Sequence, residues 1–446
     1  MVKFIKEIYT QFRLYAISSL IVLLFVTGQF FDPLFLVAKI LLLLFVLLLI
    51  FDAVLLFLTR RELVLVRRTL PEKLSNGDEN KVAIYITNNH FYKLWVEIID
   101  EIPVQFQIRN FAVRMVLKPR EEQIINYVLT PKERGEYVFG YTNVYLSTPV
   151  GFWCRRIKFG TSTTKVPVYP SFLQMRKYEF LAISNQLVEA GIKRIRRAGS
   201  FSEFDQIKEY VVGDNYRTIN WNATARRSKL MVNQYQEERS QQIFSVVDMG
   251  RAMQMPFNGM TLLDYAINST LILSNTALLK YDKAGLITFN QKVDTFMRAE
   301  RGNKTIARIL ELLYNQKTEH LESDYALLTA FIRRHITHRS LLILYTNFET
   351  TTSLYRQINY FKNLSKNHLL VVVIFENSEV KTFAKTEVHT LEEVYVKTIA
   401  EKFVYEKKLI VRELKKNGIL SILTKPEDLS ANLINQYLEL KMTGKI

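Results

Sequence analysis

Leu34 to Leu58 reads LFLVAKILLLLFVLLLIFDAVLLFL, and its centre, Ile40 to Phe51, is entirely Leu, Ile, Val and Phe. A helix that crosses a bilayer needs about 20 apolar residues, and this run supplies them. Lys39 and Asp52 fall toward its ends, where a lysine reaches the interface along its own stem. A second run precedes it: Leu14 to Phe31 is uncharged and apolar apart from Ser18, Ser19, Thr27 and Gln29. The connection, Gly28 to Pro33, is so short that two helices joined by it must be antiparallel. Lys3, Lys6 and Arg13 precede the first run, and Arg60, Arg61, Arg67 and Arg68 follow the second. The loop between holds Asp32 and no Lys or Arg, so the positive-inside rule places both flanks in the cytoplasm. No small-residue cleavage site separates the runs, which argues against a signal peptide. Residues 1–60 are therefore expected to form a two-helix anchor. The chain reads as a multi-pass protein of the bacterial inner membrane whose soluble domains face the cytoplasm.

The chain has 446 residues, too many for one ordinary core. Its net charge of +17 favours nucleic acid, anionic lipid or an acidic partner. A single cysteine, Cys154, excludes a disulfide framework within the chain and suits a reducing compartment. The histidines are scattered. His335 and His338 are the one close pair, at helical spacing in a basic stretch, with no third ligand nearby in sequence.

Residues 61–170 read as short strands: Lys81 to Asn88, Leu94 to Ile99, Glu122 to Leu129, Glu136 to Leu146 and Phe152 to Phe159. Turn signals separate them, at Asn76-Gly77-Asp78, Asn88-Asn89, Thr130-Pro131 and Thr148-Pro149-Val150-Gly151. The spacing suggests an antiparallel β-sandwich of immunoglobulin type. Residues 241–446 change character. Strands at Ile243–Val247, Ala284–Phe289, Ser340–Tyr345, Leu369–Phe375 and Ile419–Leu423 alternate with helices. The helices are expected at Leu262–Leu279, Lys304–Tyr314, Tyr325–Ile336, Ser353–Leu364, Leu391–Leu414 and Leu429–Leu440. That alternation predicts a doubly wound parallel α/β sheet. Ligands of such sheets sit at the carboxyl ends of strands, which singles out Asp248 and Asn347.

Between these regions, residues 198–239 read AGSFSEFDQIKEYVVGDNYRTINWNATARRSKLMVNQYQEER. Gly213-Asp214-Asn215 is a turn signal. Arg217, Arg226 and Arg227 can donate forked hydrogen bonds to Glu209, Glu237 or Glu238. Trp221 supplies a large apolar anchor with a polar handle. Two readings stand: an internal brace that docks residues 171–240 on the α/β domain, or a surface that docks a partner. The string Phe204, Glu209, Tyr210, Gly213, Asp214, Arg217, Ile219, Trp221, Ala223, Ala225, Arg226, Leu230, Val232 and Glu238 strongly resembles the signature of the "domain of unknown function 58" family. RGEYVFG at 134–140 and the Pro149-Val150-Gly151-Phe152 turn resemble the family's upstream region. The resemblance implies a von Willebrand factor A-like domain over 241–446, and such domains carry a metal-ion-dependent adhesion site built on Asp-x-Ser-x-Ser. Here Asp248 is present, Gly250 and Ala252 stand in place of the serines, and Asn347 stands near the place of a later Asp. The site is thus degenerate. No cofactor is expected, Mg²⁺ being the one candidate, and the Arg251 side chain or a water network is expected to fill the space.

The resemblance also implies a MoxR-type AAA+ ATPase as partner, so the expected function is a membrane-anchored adaptor that joins this ATPase and an unknown protein client at the lipid surface. The chain has no phosphate-binding Gly-x-x-x-x-Gly-Lys-Ser/Thr loop. An enzyme, such as a metal-dependent hydrolase, is the first alternative. Against it, there is no paired-carboxylate motif, no Gly-x-Ser-x-Gly and no His-Glu-x-x-His. Cys154, beside Arg155 and Arg156, is a thiol whose pKa those charges can lower, set against plain strand packing. A basic nucleic-acid or lipid-binding membrane protein is the second alternative. IKRIRR at 192–197 and the lysines from Lys402 to Lys416 supply charge, but no aromatic platform accompanies them, and no specific nucleic acid is expected.

Overall fold

A computed structural model describes residues 7–58, 63–161, 163–183, 202–212, 214, 216–237, 240–302, 304–318, 320–384, 386 and 390–445. The chain forms two compact units, Met1–Tyr169 and Pro170–Ile446.

The first unit opens with a short strand, β1 (Ile8–Thr10), then helices α1 (Phe12–Gly28) and α2 (Asp32–Leu58). A Cβ at Gly28 would stand 2.9 Å from the backbone nitrogen of Phe35, so the turn between the helices needs glycine. Pro33 falls in the first turn of α2, where a missing N–H costs nothing. The 27 residues of α2 span about 40 Å, more than the ~30 Å hydrocarbon core of a bilayer. Its Leu and Phe side chains point outward on most sides, as Leu43 does at 67% exposure. Among the described residues it is the helix long and apolar enough to cross a membrane. With 17 residues, α1 is shorter.

Ten strands follow: β2 (Val64–Thr69), β3 (Leu74–Ser75), β4 (Asn80–Asn88), β5 (Leu94–Asp100), β6 (Ala112–Leu117), β7 (Glu122–Leu129), β8 (Gly135–Phe139), β9 (Thr142–Ser147), β10 (Trp153–Phe159) and β11 (Thr164–Tyr169). They form sheets β1-β10-β9-β5-β6, β2-β4-β7 and β3-β11-β8. Alternation in β4 sends Val82, Ile84 and Ile86 inward. There Ile84 and Ile86 meet Val96 and Ile98 of β5 and Val144 and Leu146 of β9, so antiparallel sheets share one core. The single strand expected over 136–146 is two. The chain breaks at Gly140-Tyr141, where both backbone N–H groups turn to Glu101, at 3.0 and 2.9 Å, and the strand changes sheet. Strand β1 pairs Ile8 with Arg155, a partner distant in sequence.

The second unit begins with α3 (Phe172–Ile183). Phe172, Met175 and Tyr178 of α3 pack on the α/β core. An arm follows: β12 (Ser202–Glu209), helix α4 (Trp221–Arg227) and β13 (Met231–Glu237), with β12 and β13 paired antiparallel as a two-stranded sheet. Then come β14 (Gln242–Asp248), a hairpin of β15 (Pro256–Phe257) and β16 (Met260–Thr261), α5 (Leu262–Leu279), β17 (Lys283–Phe289), β18 (Val293–Glu300), α6 (Thr305–Tyr314), α7 (Tyr325–His335) and β19 (Leu341–Tyr345). The unit ends with α8 (Thr351–Asn367), β20 (Leu369–Phe375), α9 (Ser378–Phe383), α10 (Leu391–Lys416), β21 (Leu420–Thr424) and α11 (Leu429–Met442).

The large sheet runs β18-β17-β14-β19-β20-β21. Five of its strands are parallel, and β19, β20 and β21 are each reached through helices. The sixth, β18, corrects the expectation of a wholly parallel sheet: it folds back antiparallel on β17 through a tight turn in which Asn290 Oδ1 accepts from Lys292 N at 3.0 Å. Two apolar clusters cover the two faces. One includes α5 and α11, the other α7, α8 and the end of α10. Burial on both faces explains the unbroken apolar strands such as LLVVVIF in β20.

Candidate functional site

The strand order makes β14 the point from which the chain first winds one way, to β17, and later the other, to β19. Crevices outside such switch points are where open α/β sheets bind ligands. Here a groove of about 280 Å³ opens, lined by Asp248 at the end of β14, Ser323 and Tyr325 at the start of α7, Asn347 after β19, and Ser353 and Arg356 of α8.

Asp248 is 2% exposed, and donors reach both of its oxygens. Oδ1 accepts from Gly250 N at 2.8 Å and from Ser323 Oγ. Oδ2 accepts from Tyr325 OH at 2.8 Å and Thr346 Oγ1 at 2.7 Å. The Tyr325 and Thr346 hydroxyl oxygens also lie 2.7 Å apart, but each has a single proton, and with both protons on Asp248 none is left for a bond between them. The Tyr325 ring sits edge-on to Phe289 and Phe361, with centroids 5.5 and 5.4 Å away. Burial, and then the Asp248 charge, push its phenol well above the ordinary value, so it stays a donor.

The hydroxyls that serines expected at 250 and 252 would have brought to Asp248 thus come from other loops. A Cβ added at Gly250 would collide with Ser323 Oγ, so a side chain here and the Ser323 bond are mutually exclusive. This corrects the expectation for Arg251, which does not fill the space. It is exposed and lies 3.4 Å from Glu322, also exposed. Sequence reading missed Ser323, Tyr325 and Thr346. Thr346 had a legible signal, since it directly follows a buried strand at the sheet's ligand-binding end.

Asn347 shares the groove with Asp248 but not its bonds. Its Oδ1 accepts from Lys407 Nζ of α10, and Lys407 also donates to the Phe348 carbonyl at 2.6 Å. Burial holds the Lys407 ammonium down at about 8, against a smaller opposing pull from Glu349. A hard cation at Asp248 would need lone pairs where hydroxyl protons now point, and would compete with Lys407 for Asn347. Among the described residues no group of three or more His, Cys, Asp or Glu is placed to hold a metal.

The signature residues lie mainly on the arm. Asp214 holds its turn, accepting from Val211 N at 3.0 Å and Lys208 Nζ at 3.1 Å. These bonds keep its carboxyl below the usual range. Asn220 caps α4 by accepting from Ala223 N at 3.0 Å. Tyr210 N donates to the Leu230 carbonyl at 2.8 Å, closing the hairpin. Glu209 pairs with Lys229 at 2.7 Å rather than with an arginine fork. Arg226 and Arg227 are exposed in the last turn of α4. Trp221, expected as an apolar anchor, is 69% exposed, and Val212 is 95% exposed. Gly213, Asn215, Glu238 and the side chains of Arg217 and Glu237 lie outside the described residues.

Cys154 is buried in β10. Burial raises its thiol above the ordinary value, the reverse of the lowering that the neighbouring arginines could cause, and in keeping with the alternative of plain strand packing. Arg155 is itself turned away, with one nitrogen 3.7 Å from Glu7.

Residues 206–398 match the family model described as "Protein of unknown function DUF58". This covers most of the arm and the α/β unit as far as the first two turns of α10, and supports membership of that family. The chain is 24% identical over 182 residues to the "Uncharacterized protein YeaD" of Bacillus subtilis (strain 168), a match covering 40% of this chain and 45% of that protein. The chain thus spans about half the length of this curated relative. Among solved structures, the ASH/PapD-like domain of human CEP192 is similar over 24% of this chain and 83% of that one, with 12% identity and a TM-score of 0.17. A β-glucosidase from Listeria innocua is similar over 24% of this chain and 16% of that one, with 17% identity and a TM-score of 0.13. Likenesses this low carry no argument about fold or activity.

Proposed function

We propose that this protein is a membrane-anchored interaction adaptor, without catalytic activity of its own, that works with a MoxR-type AAA+ ATPase on a protein client. The observation that carries the reading is the arm. Val211, Val212, Tyr216 and Trp221 are exposed between 62% and 95% on one short connection, beside the uncovered charges of Arg226 and Arg227. Aromatic residues and arginine together are what buried centres of protein interfaces are made of. A two-stranded ribbon gains little stability by itself, so apolar residues displayed on it are suited to contact rather than to a core.

On this reading α1 and α2 both cross the bacterial inner membrane and leave both units on the cytoplasmic side. The sheets of the first unit belong to an immunoglobulin-like sandwich. The second unit is von Willebrand factor A-like, a reading supported by the sheet order and its single antiparallel edge strand. Its adhesion site is degenerate: hydroxyls answer the Asp248 charge, as a metal would elsewhere.

The test is co-purification of the tagged full chain from native membranes, with mass spectrometry of what accompanies it. Recovery of an AAA+ ATPase that falls at least about tenfold with Trp221→Ala plus Val212→Asp, with thermal stability unchanged, is the expected result. Full recovery by that double variant removes the arm from the reading, and absence of any ATPase removes the adaptor role.

A further inference from the structure

A second cavity, of about 240 Å³, lies beyond the groove at the carboxyl ends of the same strands. Its walls are apolar: Phe257 of β15, Leu262 of α5, Phe375 of β20, Val380 of α9 and Phe403 of α10. One cation reaches it, Lys407, one turn along α10 from Phe403. Two of the three ammonium N–H donors are used by neutral oxygens, Asn347 Oδ1 and the Phe348 carbonyl. Among the described residues the third has no acceptor. Neither carboxylate at the rim contacts it, although Glu349 pulls weakly on its charge from a distance. Glu376 is tied to Lys381 at 2.9 Å, and Glu349 is exposed to solvent and makes no ion pair within 4 Å among the described residues. An ammonium held against apolar walls by two carbonyl oxygens is a cation lacking its anion, and desolvation makes such a vacancy costly.

We propose that this cavity binds a small amphiphile with an apolar tail and a terminal carboxylate, a free medium-chain fatty carboxylate, with the carboxylate on the third N–H of Lys407 and the tail against Phe257, Phe375 and Phe403. Charge complementarity selects the anion, since the carboxylate forms a charge-assisted bond where only neutral acceptors now stand. The cavity volume selects the length. It falls just below the ~300–1,000 Å³ typical of drug-sized sites, which leaves room for a tail of moderate length and not for a phospholipid. The depressed ammonium pKa agrees with this placement, because an ion pair would restore the charge that burial opposes. The proposal stands apart from the adaptor reading: the arm is not part of this cavity.

The experiment is calorimetric titration of the full chain in lipid nanodiscs with octanoate, octanol and octylamine, with empty nanodiscs as the blank. Saturable octanoate binding above the blank is expected, with octylamine giving none. Lys407→Met should weaken octanoate at least tenfold and leave octanol unchanged. Val380→Trp, which fills the cavity from its partly exposed rim without touching Lys407, should abolish binding of both. Octanoate bound equally by the wild type and Lys407→Met, octanol bound as tightly as octanoate by the wild type, or no binding above the blank would each overturn the proposal. The first two outcomes would mean an uncharged occupant or simple partition.

Discussion

Asp52 of α2 and Asp248 of β14 are both buried carboxylates that accept several hydrogen bonds, yet their surroundings differ. Asp52 is 0% exposed, and its donors come from one turn after β9: Thr148 Oγ1, Phe152 N at 2.8 Å and Trp153 N at 3.1 Å. The same turn adds Trp153 Nε1 on the Leu49 carbonyl at 3.2 Å and Phe152 against Phe45, centroids 5.4 Å apart. Asp52 lines neither of the two cavities described above. The carboxylate is a latch between an apolar helix and the sheets of its own unit. Asp248 draws its donors from three loops and one wall of its site is a groove. A satisfied carboxylate is therefore not evidence for or against a site. What distinguishes the two is whether solvent-reachable space adjoins the bonds.

The sharpest break of this comparison is Asp52→Ala. It strands two backbone N–H groups and a hydroxyl in an apolar setting and should destabilise the first unit by about 4 kcal/mol. Thermal unfolding of the full chain in nanodiscs, followed through protease sensitivity near residue 150, reads this out. An effect under about 1 kcal/mol would show that the turn is held by Phe152 and Trp153 packing alone. Asp248→Ala should cost about 3 kcal/mol, confined to the second unit, because its hydroxyls can turn to groove water where those at Asp52 cannot.

Lys407, which lines the neighbouring cavity, tests the other side of Asn347. Its native pKa of about 8 lies below the 10.5 of a free lysine. Below pH 8 both native and unfolded chains hold the proton and the full cost of burying the charge is present. Between pH 8 and 10.5 the unfolded chain binds a proton that the native state has released, so stability rises with pH. Wild-type stability measured against Lys407→Met should climb through that window by no more than about 3 kcal/mol. A flat difference would mean that the ammonium is better paired than the geometry indicates. Tyr325→Phe removes one of four donors to Asp248 and should cost about 1–2 kcal/mol. Smallest of all, Trp221→Ala should change stability by less than about 0.5 kcal/mol, as for an exposed side chain. A larger loss would return Trp221 to the role of internal brace.

Much of the architecture was legible because it follows from burial that is local in sequence. The unbroken apolar residues of α2, the period-two pattern of β4 and the apolar strands β19 and β20 each report their surroundings directly. Strands that depend on distant partners were not legible. β1 pairs with β10 across more than 140 residues. β18 has a local partner in β17, and was missed instead because it has the half-exposed pattern of an edge strand. The site divided in the same way. Asp248 and Asn347 were found because strand ends can be read from sequence. Thr346 could have been found by the same signal. Ser323, Tyr325 and Lys407 could not, because only the doubly wound order brings the start of α7 and the middle of α10 to the end of β19.

By itself, the sequence determined that an apolar helix precedes a strand-rich region and an α/β region, and that Gly250 and Ala252, rather than hydroxyl-bearing residues, follow Asp248. Tertiary structure alone decided which hydroxyls reach Asp248, that Asp52 is a latch rather than a helix-end charge, and that Trp221 faces outward. Periodicity encodes whether a residue is buried, whereas the identity of its partners depends on which distant segments the chain closes against it.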